Sequence, residues 1–260
     1  MSKIALITGA SSGIGEQLAR IHAARGGDLF LVARNEIRLN ELKKELESQH
    51  GIVVNVYAKD LTLATAAQEV YDELKKLNIE IDYLINNAGF GGIGKFHERN
   101  LTEDISMINL NISALVSLTH LFLKDFVACN SGKILNVSST ASLMAGPLQA
   151  VYFASKAFVT SFSNALAEEL HDTNISVTNL MPGATDTKFA KVSGMDNTKM
   201  FDSSVSAKSV AQDGYDAMLK SKLDVVSGLT FAQRIMTAMI PFSPKKITLT
   251  QIRKMQEVKP

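Results

Sequence analysis

The chain has 260 residues, 46% of them hydrophobic, and a formal charge of +1 from 27 basic and 26 acidic side chains. That length and apolar share suit one large α/β domain, residues 1–260, with a full core. The near-neutral balance supplies no field to attract nucleic acid or acidic partners, and the single cysteine, Cys129, excludes an internal disulfide and fits a reducing compartment.

Met1-Ser2-Lys3 runs straight into apolar Ile4-Ala5-Leu6-Ile7, so no signal peptide is read there. No run reads as approaching the roughly 18 uncharged apolar residues of a spanning helix. A soluble, cytoplasmic protein is expected. Short β-branched or leucine-rich runs then alternate with stretches of helical period. The predicted strands are Ile4–Ile7, Leu29–Val32, Val53–Tyr57, Tyr83–Ile85, Lys133–Val137 and Ser176–Leu180, with a weaker one at Leu223–Val226. Helical spacing recurs in Leu39, Leu42 and Leu46 and in Val70, Leu74 and Leu77, and Gly26-Gly27 ends the first helix. Such alternation argues for an α/β fold with a doubly wound parallel sheet. Residues 184–206, rich in Ser, Thr, Lys and Met, read as a long functional loop. Gly91-Gly92-Ile93-Gly94 reads as a flexible rim.

Gly9, Gly13 and Gly15 fall where the first strand gives way to a helix. Gly9 permits a tight turn, Gly13 lets backbone approach a pyrophosphate, and Gly15 lets the helix pack on the strand. The helix N-terminus then offers free N–H groups and partial positive charge to phosphates. The spacing G-x-x-x-G-x-G departs from the general dinucleotide fingerprint, and a glycine trio alone also suits a plain strand-to-helix turn. Its place directly after the N-terminal strand points to a cofactor. At the end of the second strand, where an NAD site carries an acid for the ribose 2′-hydroxyl, stand Ala33 and Arg34. A guanidinium grips a 2′-phosphate and stacks on adenine, so NADP(H) is expected over NAD(H), against the plain alternative of a solvated arginine.

Tyr152 and Lys156 are four residues apart in a predicted helix over Ala150–Leu170, so they share a face. Phe158, Phe162, Leu166 and Leu170 are expected to line a face of that helix. A phenol near pKa 10 is a poor acid–base at neutral pH. A neighbouring ammonium favours the phenolate and lowers that pKa, which would suit proton transfer to or from an alcohol oxygen.

From Lys3 to about Leu180 the chain resembles the short-chain dehydrogenase/reductase family, of the single-domain, NADP-preferring kind. Thr8-Gly9-Ala10-Ser11-Ser12-Gly13-Ile14-Gly15 is similar to its TGxxxGxG turn, and Asn86-Asn87-Ala88-Gly89 to its NNAG element. Asn111, in Asn111-Ile112-Ser113-Ala114, is similar to its helical asparagine, and Ser139, in Asn136-Val137-Ser138-Ser139, to its catalytic serine. Tyr152 and Lys156 resemble its YxxxK pair, Pro182-Gly183 with Thr187 its PGxxxT element, and Arg34 its NADP-selecting arginine.

The resemblance implies a Rossmann fold and reversible, NADP(H)-dependent reduction of an aldehyde or ketone. It implies Tyr152 as proton donor and Ser139 on the carbonyl and developing oxyanion. Lys156 would hold the nicotinamide ribose and lower the tyrosine pKa. Asn111 would kink its helix so that a backbone carbonyl holds a water relaying protons through Lys156. The implied cofactor contacts are Gly9, Ser11, Ser12, Gly13, Ile14, Gly15 and Arg34; Asp60 and Leu61 at the adenine; Asn87, Ala88 and Gly89; Tyr152 and Lys156; and Pro182, Gly183, Thr185 and Thr187 beside the nicotinamide. Plain readings stand beside these: Ser138 and Ser139 as strand-end serines, Asn109 in place of Asn111, Asp60 as a helix N-terminal residue, Asn86 and Asn87 as turn formers.

Phe189, Met195, Met200 and Phe201 are candidates for a mobile lid, against a plain surface loop, and they hint at a hydrophobic carbonyl. Residues 229–260 read as a C-terminal helical extension. Phe231, Ile235, Met239 and Phe242 share a face, Pro241-Phe242-Ser243-Pro244 breaks it, and Lys245, Lys246, Arg253 and Lys254 follow. Packing beside the substrate mouth is the preferred reading, with a membrane-surface helix as the alternative. This tail departs from the family's tetrameric members, so a homo-oligomer is expected, a dimer through the Asn111 and Tyr152 helices before a tetramer. His22, His50, His97, His120 and His171 are scattered without ligand spacing, so no metal is expected. The expected partner is a small-molecule carbonyl or alcohol. A reading of another class is an NADP(H)-binding sensor or scaffold without turnover; the intact Ser139, Tyr152 and Lys156 argue against it.

Overall fold

The computed structural model describes residues 2–257 apart from 196, 197, 199–203, 231, 232, 234, 236, 238, 241 and 242. Its centre is a seven-stranded parallel sheet of β1 (Ile4–Thr8), β2 (Asp28–Ala33), β3 (Val54–Ala58), β4 (Tyr83–Asn86), β5 (Gly132–Val137), β6 (Ile175–Pro182) and β9 (Asp224–Ser227). The order is β3-β2-β1-β4-β5-β6-β9. The chain therefore winds outward from β1 to β3, returns to β4 beside β1, and winds outward the other way. A doubly wound sheet opens a crevice at that reversal, outside the carboxyl ends of its strands.

The inner strands are legible because both faces are covered, which makes them near-continuous apolar runs. Ala5 and Ile7 of β1 enter one core with Leu18, Leu29, Leu31, Leu39 and Leu46. Leu6 enters the opposite core with Phe30, Val32, Leu84, Leu118, Phe122 and Phe126. Helices α1 (Gly13–Ala23), α2 (Glu36–His50) and α8 (Ala207–Leu219) contribute to the first layer. Helices α3 (Ala66–Lys76), α5 (Leu115–Cys129) and α6 (Ala150–Glu169) contribute to the second. Gly26, with φ +76°, takes the left-handed turn after α1 as expected. Along α6, Leu166 and Leu170 are buried, but Phe158 is exposed and stacks on Phe162, so the expected apolar face runs out of the core to the surface.

Helix α4 (Leu101–Ile108) joins α5 through a π-helical turn, Asn109–Ala114. The whole stretch Leu101–Cys129 is long and apolar enough by composition to cross a membrane. This corrects the expectation that no run reaches that length: residues 105–123 carry no Asp, Glu, Lys or Arg, and interleaved Ser, Asn and Thr break their apolar character. Here Leu118, Phe122 and Phe126 press one of its faces onto the sheet.

Residues 184–206 also depart from a structureless loop. They hold a two-stranded parallel pair, β7 (Thr185–Asp186) with β8 (Val205–Ser206), and a short helix α7 (Lys188–Val192). Met200 and Phe201 lie outside the described residues. Beyond β9, Gln233, Ile235, Thr237 and Met239 are helical, with Ile235 and Met239 exposed. Phe231, Pro241 and Phe242 lie outside the described residues. Helix α9 (Lys245–Gln256) turns Ile252 and Gln256 inward, and Ile252 packs in a small cluster with Met107, Ala141, Tyr152 and Phe153.

Candidate active site

The glycine turn sits at the carboxyl end of β1, in the crevice. Gly9 and Gly13 both have left-handed φ, +68° and +59°. A Cβ on Gly13 would meet the Thr187 methyl at 3.0 Å, so the PGxxxT segment lies over the turn. A Cβ on Gly15 would overlap Gly9 O and Asn87 Nδ2. Gly15 thus admits the Asn87 side chain and the turn itself, where helix-on-strand packing was expected. Asn87 Nδ2 donates to Thr8 O at 2.9 Å, and the Thr8 hydroxyl accepts from the Asn87 and Ala88 N–H groups at 3.0 Å each. Thr8 therefore pins the NNAG element to the glycine turn. Ser12 precedes α1 without a capping side-chain bond, so first-turn N–H groups remain for an anion.

Arg34 is exposed just past the end of β2 and makes no hydrogen bond or ion pair among the described residues. Asp60 Oδ1 accepts from the Thr62 N–H and hydroxyl. Leu61 is buried and lines a small cavity with Thr8, Asn86 and Ala88. Ser11 and Ile14 are half-buried along the turn. On the opposite rim the Thr185 hydroxyl donates to Gly183 O, and the Thr187 hydroxyl caps α7 by accepting from the Phe189 N–H.

Tyr152 and Lys156 fall on α6 as spaced, 8% and 5% exposed. Lys156 Nζ donates to Val137 O at 2.9 Å and lies 6.0 Å from the Tyr152 ring centroid. Burial pushes the Tyr152 phenol up to about 12, with Ser139 offsetting part of the rise. Burial also draws the Lys156 ammonium down to about 8. The expected lowering of the tyrosine by its lysine is thus reversed: desolvation disfavours both charged forms, and the ammonium is turned toward a backbone carbonyl. Ser138 is turned away, donating to Lys156 O and bonded to Thr160. Ser139 is the serine beside the phenol. Asn111 is nearly fully buried in the π-turn. Its Nδ2 donates to Phe90 O and Ser155 Oγ, and its Oδ1 accepts from the Phe90 N–H. A Cβ on Gly89 would stand 3.0 Å from Asn111 Oδ1 and 3.4 Å from Lys156 Nζ. Gly89, Asn111 and Lys156 thus meet at one point.

The rim Gly91–Gly94 is tied down rather than free. The Gly91 N–H donates to Ser193 Oγ, and the Gly94 N–H to Leu148 O. Arg99, paired with Asp104 at 2.7 Å, donates to Ile93 O. Phe189 reaches Tyr152 with ring centroids 5.5 Å apart, and Met195 is buried against Gln149. Ser155, Ser193 and Gln149 are site neighbours that sequence reasoning missed. Only Ser155, flanking Lys156, carried a local signal.

A doubly wound sheet with a glycine turn at its crevice and a buried Tyr–Lys pair beside it is the plan of a dinucleotide-dependent oxidoreductase. A family model described as short chain dehydrogenase matches residues 3–198. Sulfoacetaldehyde reductase 2 of Chromohalobacter salexigens is 38% identical over 194 residues, 74% of this chain and 76% of that one. An NADP-dependent 3-hydroxy acid dehydrogenase of Schizosaccharomyces pombe is 35% identical over 192 residues, 73% and 74% of the two chains. Among solved structures, a short-chain dehydrogenase from Sphingobium yanoikuyae in complex with NADPH has a TM-score of 0.83 at 30% identity, covering 99% of both chains. The protein belongs to the short-chain dehydrogenase family and is an oxidoreductase. The structural likeness continues through the C-terminal residues that the family model leaves unmatched.

Proposed function

We propose that the protein reduces an aldehyde or ketone to an alcohol with NADPH, reversibly. The observation that carries this reading is the meeting of Tyr152, Ser139 and Lys156 beside Gly89 at the crevice. The residues present fit the dinucleotide: Gly9 and Gly13 carry no side chain at the turn, the α1 N-terminus faces it, and Arg34, exposed past β2, has no hydrogen-bond or ion-pair partner among the described residues, which suits it to a 2′-phosphate. The cofactor in the relative's name and in the Sphingobium complex supports NADP(H).

When bound, the nicotinamide supplies or accepts a hydride. Tyr152, held neutral by its raised pKa, donates its phenolic proton to the carbonyl oxygen. The transfer runs downhill because an alkoxide is a stronger base than a phenolate. Ser139 hydrogen-bonds the same oxygen as charge develops on it. Lys156, charged at neutral pH, holds ribose hydroxyls and stabilises the phenolate left behind. The π-turn at Asn111 frees backbone carbonyls from the α-helical ladder, and these hold the water that returns a proton through Lys156. Met107, Phe153, Phe189 and Ile252 around Tyr152 favour a substrate with an apolar flank. We place the protein in a dimer through the helices of Asn111 and Tyr152, where Phe158 is exposed.

The test is consumption of NADPH, followed by the absorbance of the reduced nicotinamide, against aldehydes, ketones, diketones and acyl thioesters. NADH and Tyr152→Phe serve as controls. Turnover that vanishes in the variant supports the reading. Tight NADPH binding without turnover on any carbonyl moves it to a sensor.

A further inference from the structure

Among the described residues, six side chains hold buried polar atoms without a partner: Asn86, Ser142, Gln149, Asn164, Asn179 and Gln256. The three asparagines still donate through their amide nitrogens. Asn86 reaches Thr119 and Asn136, while Asn164 and Asn179 reach Asp224. The other three are far poorer. Both amide atoms of Gln256 and the hydroxyl of Ser142 have no partner. Gln149 reaches only the Met195 thioether, and its Oε1 reaches nothing.

These three come from distant parts of the chain, and each lies next to, or one helical turn from, a member of one cluster. Ser142 follows Ala141, Gln149 lies one helical turn before Tyr152, and Gln256 lies one turn beyond Ile252 on α9; Ala141, Tyr152 and Ile252 pack together. Gln149 is 2% exposed and Gln256 0%. A buried polar group without a partner weakens a fold, and an apolar side chain of the same size would serve packing better. Three of them, each beside or one turn from a residue packed at the reactive phenol, are explained by a ligand that completes their bonds.

We propose that Gln149, Ser142 and Gln256 form a subsite for a second, neutral oxygen function of the substrate, a hydroxyl or keto group a few bonds from the carbonyl being reduced. The proposal rests on the reductase reading above and names its substrate class. An amide both donates and accepts, and a serine hydroxyl does either, which matches a hydroxyl or keto oxygen. The cations nearby are already engaged: Arg99 by Asp104 and Ile93 O, Lys156 by Val137 O. A carboxylate would enter without a counter-charge.

The test compares kcat/KM with NADPH for cyclohexanone, 2-hydroxycyclohexanone and 2-oxocyclohexanecarboxylate. The hydroxyketone is expected to exceed the plain ketone by about tenfold or more. That ratio should fall toward one in Gln149→Met and in Gln256→Met, and should drop in Ser142→Ala. The two glutamine positions lie on different elements, so misfolding of one variant, read from its melting temperature, leaves the other decisive. With NADP+ bound, cyclohexane-1,2-diol should raise the melting temperature more than cyclohexanol does. Equal rates for the plain and hydroxylated ketones, a preference for the carboxylate, or a ratio preserved in every folded variant overturns the subsite while leaving the reductase intact. Absence of NADPH oxidation with any carbonyl overturns the reductase reading and the subsite with it.

Discussion

The Lys156 ammonium stands 6.0 Å from the centroid of the Tyr152 ring, one turn along α6, with both side chains closed off from solvent. Burial acts on the two groups in opposite directions, because one is charged when protonated and the other when deprotonated. The phenol rises to about 12 and the ammonium falls to about 8. At neutral pH the pair is a neutral acid beside a cation, the state a carbonyl reduction needs at its start.

The first prediction concerns pH. Reduction requires Tyr152 protonated and Lys156 charged, and Lys156 is the one that titrates in the working range. We expect kcat/KM for reduction to hold below about pH 8 and fall above it. Lys156→Arg, whose guanidinium keeps its charge, should move the falling limb upward. A rate that climbs from neutral pH through pH 9 in the wild-type protein contradicts this assignment.

The same lysine should trade stability for function. In the unfolded chain it titrates near the ordinary 10.5, in the folded one near 8. Between those values the unfolded state binds more protons, so this group makes stability rise with pH across that window. Below pH 8 the fold carries a buried, singly bonded charge. Lys156→Met should therefore abolish reduction while stabilising the protein by roughly 1–3 kcal/mol, a rise of several degrees in melting temperature. Calorimetry of the two proteins at pH 7 checks the sign; a lower melting temperature in the variant contradicts it.

Arg34 gives a prediction about cofactor choice. It is exposed at the tip of β2, and its removal breaks no hydrogen bond or ion pair among the described residues. Arg34→Ala should weaken NADPH binding by roughly 1.5–3 kcal/mol, the range for hydrogen bonds to a charged group. NADH binding should change little, since NADH lacks the 2′-phosphate. Fluorescence titration of both nucleotides checks this, and equal losses for the two contradict it.

What was legible in the sequence tracks what is local. The strands were placed within a residue or two: inner ones such as Ile4–Ile7 are covered on both faces and read as apolar runs, while the half-exposed edge strands β3 and β9 were legible from their β-branched residues. The glycine turn and the Tyr152–Lys156 pair were legible because turn chemistry and helical spacing are short-range. The π-turn at Asn109–Ala114 has no residue pattern of its own, and Asn111 was reached only through resemblance. Contacts such as Gly91 with Ser193, 102 residues apart, leave no local trace. The direction of the Tyr152 shift was misread for a related reason: spacing reveals a neighbouring charge, whereas depth of burial belongs to the assembled fold.

His22, far from the glycine turn along α1, supplies the last prediction. Its Nε2 lies 2.9 Å from Lys3 O and its Nδ1 2.6 Å from the Tyr215 hydroxyl. Those partners assign the proton to Nε2, with Nδ1 accepting from the phenol. The ring is buried, and a Cβ on Gly27 would overlap it. Burial holds its pKa below the ordinary 6.5, so the folded protein keeps it neutral. As pH falls below 6.5 the unfolded chain takes up a proton that the fold refuses, and stability declines through that window. Protonation of Nδ1 also removes the acceptor for Tyr215 and sets a cation among Tyr83, Tyr215 and the Arg25 guanidinium that lies over the Tyr215 ring. The wild-type melting temperature should drop between pH 6.5 and 5, before most carboxylates titrate. His22→Gln should be less stable at pH 7 by about 1–3 kcal/mol, through imperfect replacement of two buried bonds, with a flatter pH profile. Parallel profiles in the two proteins would assign the acid sensitivity to other groups.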